Sequence, residues 1–518
     1  MPDTPRMMTN DDGWILGAYG PPLTPDIMRE KMIESYKGSP VDVFLWSIGG
    51  HETYEYETEI GELCGAGYDD LDEAQQKRHD NLRYLIDNHG GPVTVIAQQC
   101  HQAGMRFFPS VRMNEHYDME ESTPNYGRLR RQHPELLIGK PGEQLPYPSL
   151  EWGIRTGLDY ATDGARQHML SIIFELIQRF DIDGIELDFM RHPAFFRIGD
   201  AFAGRYLMTD LVRQVRGELN EKGKRVGREL SLAVRVPPTL NDCLRIGLDV
   251  EEWVQQGLLN QLIAGGGFIP FTMPIRSFVE AAQGTCCKVF GCFEALRPTL
   301  DEDVMQAMAA RYWEAGVDGL YFFNYQSMTD EWKRDSLTRL ADPIRLARAD
   351  KQYQVDSGIV KPETQLFFSF ANAIPRVQLP ARIAPTPGGR GFMMLIDIAD
   401  DIGAAAAEGA LGTCTLGLGF EALPDDCELY IGINGDEIPR AGVAPAQPWF
   451  RLGYDPDWKQ HPSKLTPQPV EGVQIEFEIS APPLHQGVNQ IEIRLEVGPS
   501  LLLLDARLWI RYTNRAPG

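Results

Sequence analysis

The sequence predicts a (β/α)8 barrel over residues 1–350 and an antiparallel β-sandwich over residues 351–518. Three observations lead there. Short apolar runs alternate with helical segments through the first two thirds of the chain, the rhythm of a parallel sheet with helical crossovers. Several of those runs end in polar residues, as strands do when their ends collect around one mouth. Beyond Leu346 the periodicity drops to two and glycine and proline separate the pieces, which is the pattern of antiparallel strands with one solvated face. A doubly wound open sheet is the competing arrangement, but no Gly-x-Gly-x-x-Gly follows a strand.

Taken in order, residues 13–20, GWILGAYG, read as a first strand entering a glycine-rich turn. Pro25 to Tyr36 reads as a helix capped by Thr24, with proline in its first turn. Val41 to Trp46 is apolar apart from Asp42, as a strand covered on both faces should be. Asp70 to Asn88 and Pro92 to Ala103 are helical. Met105 to Val111 is the third strand. A long excursion, Asp118 to Gly157, follows it, and a loop of that length inside a compact domain usually serves function. His168 to Arg179 is a helix leading to Asp181-Ile182-Asp183-Gly184-Ile185-Glu186-Leu187-Asp188-Phe189-Met190-Arg191, the fourth strand and its polar end. A helix over Gly199 to Glu221 precedes the strand Leu230 to Val236, which carries Arg235 in its interior. Asp249 to Gln256 and Ile275 to Gln283 are helices flanking the strand Leu259 to Ala264. Cys287 to Gly291 is the seventh strand, Asp301 to Ala315 a helix, and Gly319 to Phe323 the eighth strand, ending in Asn324. In the last third, residues 365–371, 391–398 and the segments CELYIGING, VQIEFEI, QIEIRLEV and RLWIRYT read as strands of a supporting domain.

Composition narrows the classes. The formal charge of −24 argues against a nucleic-acid backbone as partner. It leaves room for an anionic substrate held in a local basic pocket. No run of about 18 apolar residues is present, so no membrane span is expected. The first residues lack the basic start and apolar run of a secretory signal. The eight cysteines form no C-x-x-C pair, and mostly free thiols in a reducing, cytoplasmic setting is the simple reading. Self-association into a homodimer is left open. No cofactor signature is found.

The chemistry-bearing residues fall into a few groups. Glu186 and Asp188 are two apart, so on a strand they share a side. Two carboxylates beside Arg191 are expensive to desolvate without a purpose. They read either as the acid/base pair of a glycosidase or as an ion-pair network closing the strand end. Arg128, Arg130, Arg131 and His133 form a basic segment suited to a carboxylate or phosphate; the alternative is pairing with the protein's own excess acid. His133 could exchange a proton near neutral pH. Asp11, Asp12 and Trp14 adjoin the first strand, and Asn324 ends the eighth, placed to bond a substrate hydroxyl or carboxylate. Histidine spacing fits no metal motif; only a spatial convergence of His116, Asp118 and His133 would make a metal site.

The segments GWILGAYG, FFPSVRMN, RLRRQHPEL and DIDGIELDFMRHP resemble the glycoside-hydrolase-like barrels. Within that group, the arginine–histidine loop resembles glycoside hydrolase family 156, the inverting exo-sialidases. The resemblance implies hydrolysis of a terminal sialic acid from a glycoconjugate by an aspartate–histidine pair, without a metal. The aspartate would be Asp12, or Asp11 beside it, and the histidine His133. Arg128, Arg191 and Asn324 would hold the sugar carboxylate, with Glu186 and Asp188 ordering the arginines or binding hydroxyls. Asp12 is the better base and His133 the better acid, although the two roles are exchangeable on sequence. Two other readings stand beside this one: a glycosidase for another polysaccharide working through Glu186 and Asp188, and a carbohydrate-binding barrel without catalysis.

Overall fold

The computed structural model describes residues 6–50, 52–116, 123, 126–146, 149–265, 271, 273–294, 301–326, 328–356, 378–439, 442–443, 449–454, 465–470, 472–479 and 483–513. Eight parallel strands close into a barrel. We number them β1 (Met7–Asp11), β2 (Val41–Ser47), β3 (Arg106–Arg112), β4 (Gly184–Asp188), β5 (Ser231–Val236), β6 (Gln261–Ala264), β7 (Lys288–Glu294) and β8 (Gly319–Phe323). Each pairs with its neighbours in chain order, and β8 returns to pair with β1. With helices outside and side chains within, β1, β4 and β8 are buried along their whole length, as strands covered on both faces must be.

The first strand differs from expectation. The ladder runs through MMTND, before the glycine, and WILGA (Trp14–Ala18) is a short helix packed by Ile15 and Leu16. The strand is hard to see because its second half, Thr9–Asp11, is polar, with Asn10 turned into the barrel. The segment from Pro25 is helical as expected, and the Thr24 side chain accepts the N–H of Ile27. Its turns widen over Arg29–Ile33 and tighten over Glu34–Tyr36. The seventh strand extends three residues past Gly291, to Glu294. The described part of the excursion after β3 holds the short helices Arg128–Gln132 and Leu150–Ile154 and a single tight turn, Pro134–Leu136. The Asn114 side chain pins it: its amide donates to the carbonyls of Leu158 and Ala194, and its oxygen accepts the N–H of Leu158.

Beside a two-stranded antiparallel pair, Trp449–Tyr454 with Leu465–Val470, the described C-terminal residues form two larger antiparallel sheets. One orders Lys351–Gln354, Leu501–Tyr512, Leu411–Phe420, Val473–Glu478 and Gly442–Val443, with Ala381–Ile383 also on Leu501–Tyr512; the other orders Phe392–Ile398, Gly487–Val497, Glu428–Ile433 and Asp436–Glu437. Alternate residues along Gly487–Val497 and Leu501–Tyr512 are buried, so the period of two in the sequence is the burial pattern of the sheets. The expected strand over 365–371 lies outside the described residues. Ion pairs join this part to the barrel helix Glu302–Ala315: Arg311 meets Asp397 at 2.6 Å, and Arg511 meets Asp303.

Candidate active site at the barrel mouth

Pleating decides which side chains enter the barrel. Asn10 of β1 donates across the interior to Glu186 Oε2 of β4 at 2.9 Å, whereas Thr9 turns outward to the Tyr36 hydroxyl at 3.1 Å. Alternation then sends Asp11 outward and Asp12 to the mouth. The contacts agree. Asp11 is buried behind the mouth and accepts the N–H of Gly13 at 2.9 Å. Asp12, with 24% of its side chain exposed, accepts the Asn324 amide at 2.7 Å and lies 3.6 Å from Arg112 Nη2. Of the two adjacent aspartates, Asp12 is therefore the one presented at the strand ends.

Glu186 and Asp188 share the inner face, as their spacing predicts, but sit in different company. Arg235 of β5 grips Asp188 with two parallel bonds, Nε to Oδ1 at 2.9 Å and Nη2 to Oδ2 at 2.7 Å. All three side chains are buried. Asp188 Oδ1 also accepts the N–H groups of Met190 and Arg191, at 2.9 and 3.4 Å, so it shapes the turn that carries Arg191. One layer deeper, Glu186 accepts from Asn10 and Ser110. Burial, reinforced by the nearby Asp188, pushes its pKa up to about 7 despite Arg235.

Arg191 is partly buried at the rim. Burial first, and then the neighbouring Arg112, pull it down to about 10, while Glu294 and Asp12 pull the other way. Glu294 ends β7, buried, 3.6 Å from Arg235 Nη1. Behind Asp12, Glu55 pairs with Arg78 and lies against Gly13; burial raises it to about 7, as it does Asp11. Gly13 has φ +79°, and a Cβ there would collide with the Glu55 carboxylate, so this turn requires glycine. Asn324 also has a positive φ, 62°, a conformation asparagine tolerates better than most residues.

The mouth thus unites Asp12, Arg191 and Asn324 from the expected set, with Asp188 and Glu186 beneath them. Arg128 and His133 belong to the excursion. The Arg128 side chain is exposed and its N–H donates to Glu62. His133, 52% exposed, shares a hydrogen bond with Glu135 at 3.0 Å. Among the described residues no hydrogen bond or ion pair joins either one to Asp12. The arginine that turns inward from that helix is Arg130, fully buried against Glu52 and over the Tyr126 ring at 4.3 Å. His116 stacks on His192 with ring centroids 5.2 Å apart. Burial, with Arg130 and Arg155 nearby, lowers it to about 3. Asp118 lies outside the described residues, and among those described no cluster of three or more His, Cys, Asp or Glu is set to hold a metal ion. Likewise no described helix is long and apolar enough to cross a membrane.

Sequence reasoning missed Arg112 and Glu294 as members of the site. The signal for both was a charged residue closing an apolar run, Phe107–Val111 in one case and Val289–Phe293 in the other.

The sequence matches no protein-family model, and no curated protein matches it either. Among solved structures, the chain is similar to the PgaB glycoside hydrolase domain of Bordetella bronchiseptica, with 12% identity over 66% of this chain and 98% of that one and a TM-score of 0.41. It is similar to a family 18 N-acetylglucosaminidase of Paenibacillus barengoltzii, with 12% identity over 65% and 99% and a TM-score of 0.38. It also matches α-L-fucosidase isoenzyme 2 of Paenibacillus thiaminolyticus, with 11% identity over 70% of this chain and about half (53%) of that longer one and a TM-score of 0.42. Likeness at this level says nothing of substrate or mechanism, and the barrel rests on its own strand order.

Proposed function

We propose that this protein is a glycoside hydrolase that removes a terminal sialic acid from a glycoconjugate with inversion, without a metal, and that Asp12 is its base and His133 its acid. The observation that carries this reading is the crowding of Arg112 and Arg191 around Asp12 and Asn324 at the mouth of an acidic barrel. Two guanidinium groups side by side repel each other. A planar carboxylate on the sugar would relieve that repulsion and accept bonds from both. Arg112 takes the part expected of Arg128, whose side chain is exposed.

In this mechanism water attacks the anomeric carbon as Asp12 accepts its proton. The bond from that carbon to the glycosidic oxygen breaks, and His133, held through Nδ1 by Glu135, delivers a proton to the departing oxygen. An inverting pair stands about 6.5–9.5 Å apart to admit the water, so direct contact between the two groups is not expected. Glu186 and Asp188 then serve as support. A glycosidase working through that carboxylate pair has less in its favour, because both Asp188 oxygens are engaged by Arg235.

The test is turnover of an aryl α-sialoside, with and without a chelator, followed by proton NMR. Release of β-sialic acid before mutarotation, unaffected by the chelator, is the expected result. No turnover in either condition would remove the substrate, α-anomer release the inversion, and loss on chelation the metal-free chemistry.

A further inference from the structure

Phe202 and Tyr206 lie one turn apart near the start of the helix Ala201–Val226, with 60% and 66% of their surface exposed. They are not loose. The Arg205 guanidinium lies over both rings, 3.8 Å from the Phe202 centroid and 4.2 Å from that of Tyr206. It also donates to the Phe202 carbonyl and the Tyr206 hydroxyl. Arg205 itself is only 16% exposed and is backed by Asp249 at 3.5 Å. The arginine is therefore the floor on which the two rings are held while their surfaces stay in solvent.

Position and size both bear on what this surface takes. The helix follows β4, so its first turns lie on the side where the strands end. Just before it, Arg197 donates to the Ile138 carbonyl at 2.8 Å and pairs with Glu143; both belong to the excursion that carries Arg128 and His133. Two rings bury roughly 150–250 Å² each when fully covered, against about 800 Å² per partner in a stable protein interface. The surface suits a small ligand better than a second copy of the chain. Asp200 and Asp210 flank it on the same helix end, which disfavours a polyanion.

We propose that Phe202 and Tyr206, held by Arg205, form an accessory platform on which neutral sugar residues of the glycan, those behind the cleaved terminal residue, stack through their C–H faces. Rings fixed in advance lose little freedom on binding. The proposal rests on the glycosidase reading above, and the following experiment separates the two.

Wild type, Phe202→Ala/Tyr206→Ala and Phe202→Trp/Tyr206→Trp are titrated by NMR with a neutral N-acetyllactosamine oligomer, and KM is measured for a sialylated form of that oligomer and for an aryl sialoside. The alanine pair should weaken oligomer binding and raise the long-glycan KM by about tenfold, the scale of lost ring contacts. It should turn over the aryl sialoside like wild type, and the tryptophan pair should behave like wild type throughout. Equal oligomer binding by wild type and the alanine pair, or a KM change shared by both substrates, would overturn the platform. So would size-exclusion chromatography showing a dimer that the alanine pair splits. If wild type cleaves neither sialoside, the catalytic reading falls while the neutral-oligomer titration still decides the platform.

Discussion

Asp188 and Arg235 face each other on adjacent strands, in register, and meet through two parallel hydrogen bonds with no solvent exposure on either side chain. A buried pair of this kind is a weak source of net stability but a severe liability when broken.

Replacing Arg235 by alanine should therefore cost about 3–5 kcal/mol, because it strands a buried carboxylate. The double change Arg235→Met/Asp188→Leu should cost less than Arg235→Ala alone. Urea denaturation of the variants measures both. A loss below about 1 kcal/mol for Arg235→Ala, the range of an exposed pair, would contradict the arrangement.

Asp12→Asn should leave a folded protein whose turnover is lower by about 10²–10⁴-fold, the usual worth of general acid–base assistance. His133→Ala should fall by a similar factor. An activated aryl leaving group needs little protonation, so it should partly rescue His133→Ala and leave Asp12→Asn as impaired as before. The opposite rescue pattern would exchange the two roles.

Asn324 has two separable duties. Asn324→Gly keeps the left-handed backbone but removes the amide from Asp12; Asn324→Ala removes the amide and strains the backbone as well. Both should lose activity, and the alanine variant should be less stable than the glycine variant by about 1–2 kcal/mol. Equal stabilities in thermal melts would mean that the turn tolerates a Cβ freely.

Glu186 makes stability fall as pH rises. Its folded pKa is raised from 4.5 to about 7, so the folded state holds the proton more tightly than the unfolded one. The contribution is complete below about 4.5, diminishes as pH climbs, and is gone once pH passes through about 7. Glu186→Gln should flatten this part of the curve. Unfolding free energies measured from pH 5 to 8 should shift progressively in the variant's favour. A constant difference across that range would show that Glu186 is not protonated in the fold.

The parts of the fold that were legible in the sequence are those set by burial on both faces. The helices and the apolar strands β2, β3, β4 and β8 announce themselves, and the period of two placed Glu186 and Asp188 on one side without any structure. Legibility failed where polar groups face inward. The strand β1 turns Asn10 inward to Glu186 and Thr9 outward to Tyr36, so the more apolar WILGA beside it looks like the better strand. The choice between Asp11 and Asp12 needed the direction of a single pleat. The arginine segment failed for a different reason. Among Arg128, Arg130 and Arg131, one short helical turn decides which is buried, and spacing alone does not give its rotation. Glu294 was lost because glycine and cysteine near the end of β7 look like a strand boundary.

The bond between Asp12 and Asn324 spans 312 residues and sits where the last barrel strand seals against the first. During synthesis, β1 leaves the ribosome with one edge unmatched and keeps it so until β8 appears. An open edge of this kind invites mispairing, and such distant contacts form slowly. The polar character of β1 then has a second consequence: the segment that waits longest for its partner is also one of the least sticky. A chain interrupted before Asn324 would carry every other group at the mouth and still leave Asp12 without the amide that holds it, so the centre is assembled only as the barrel shuts.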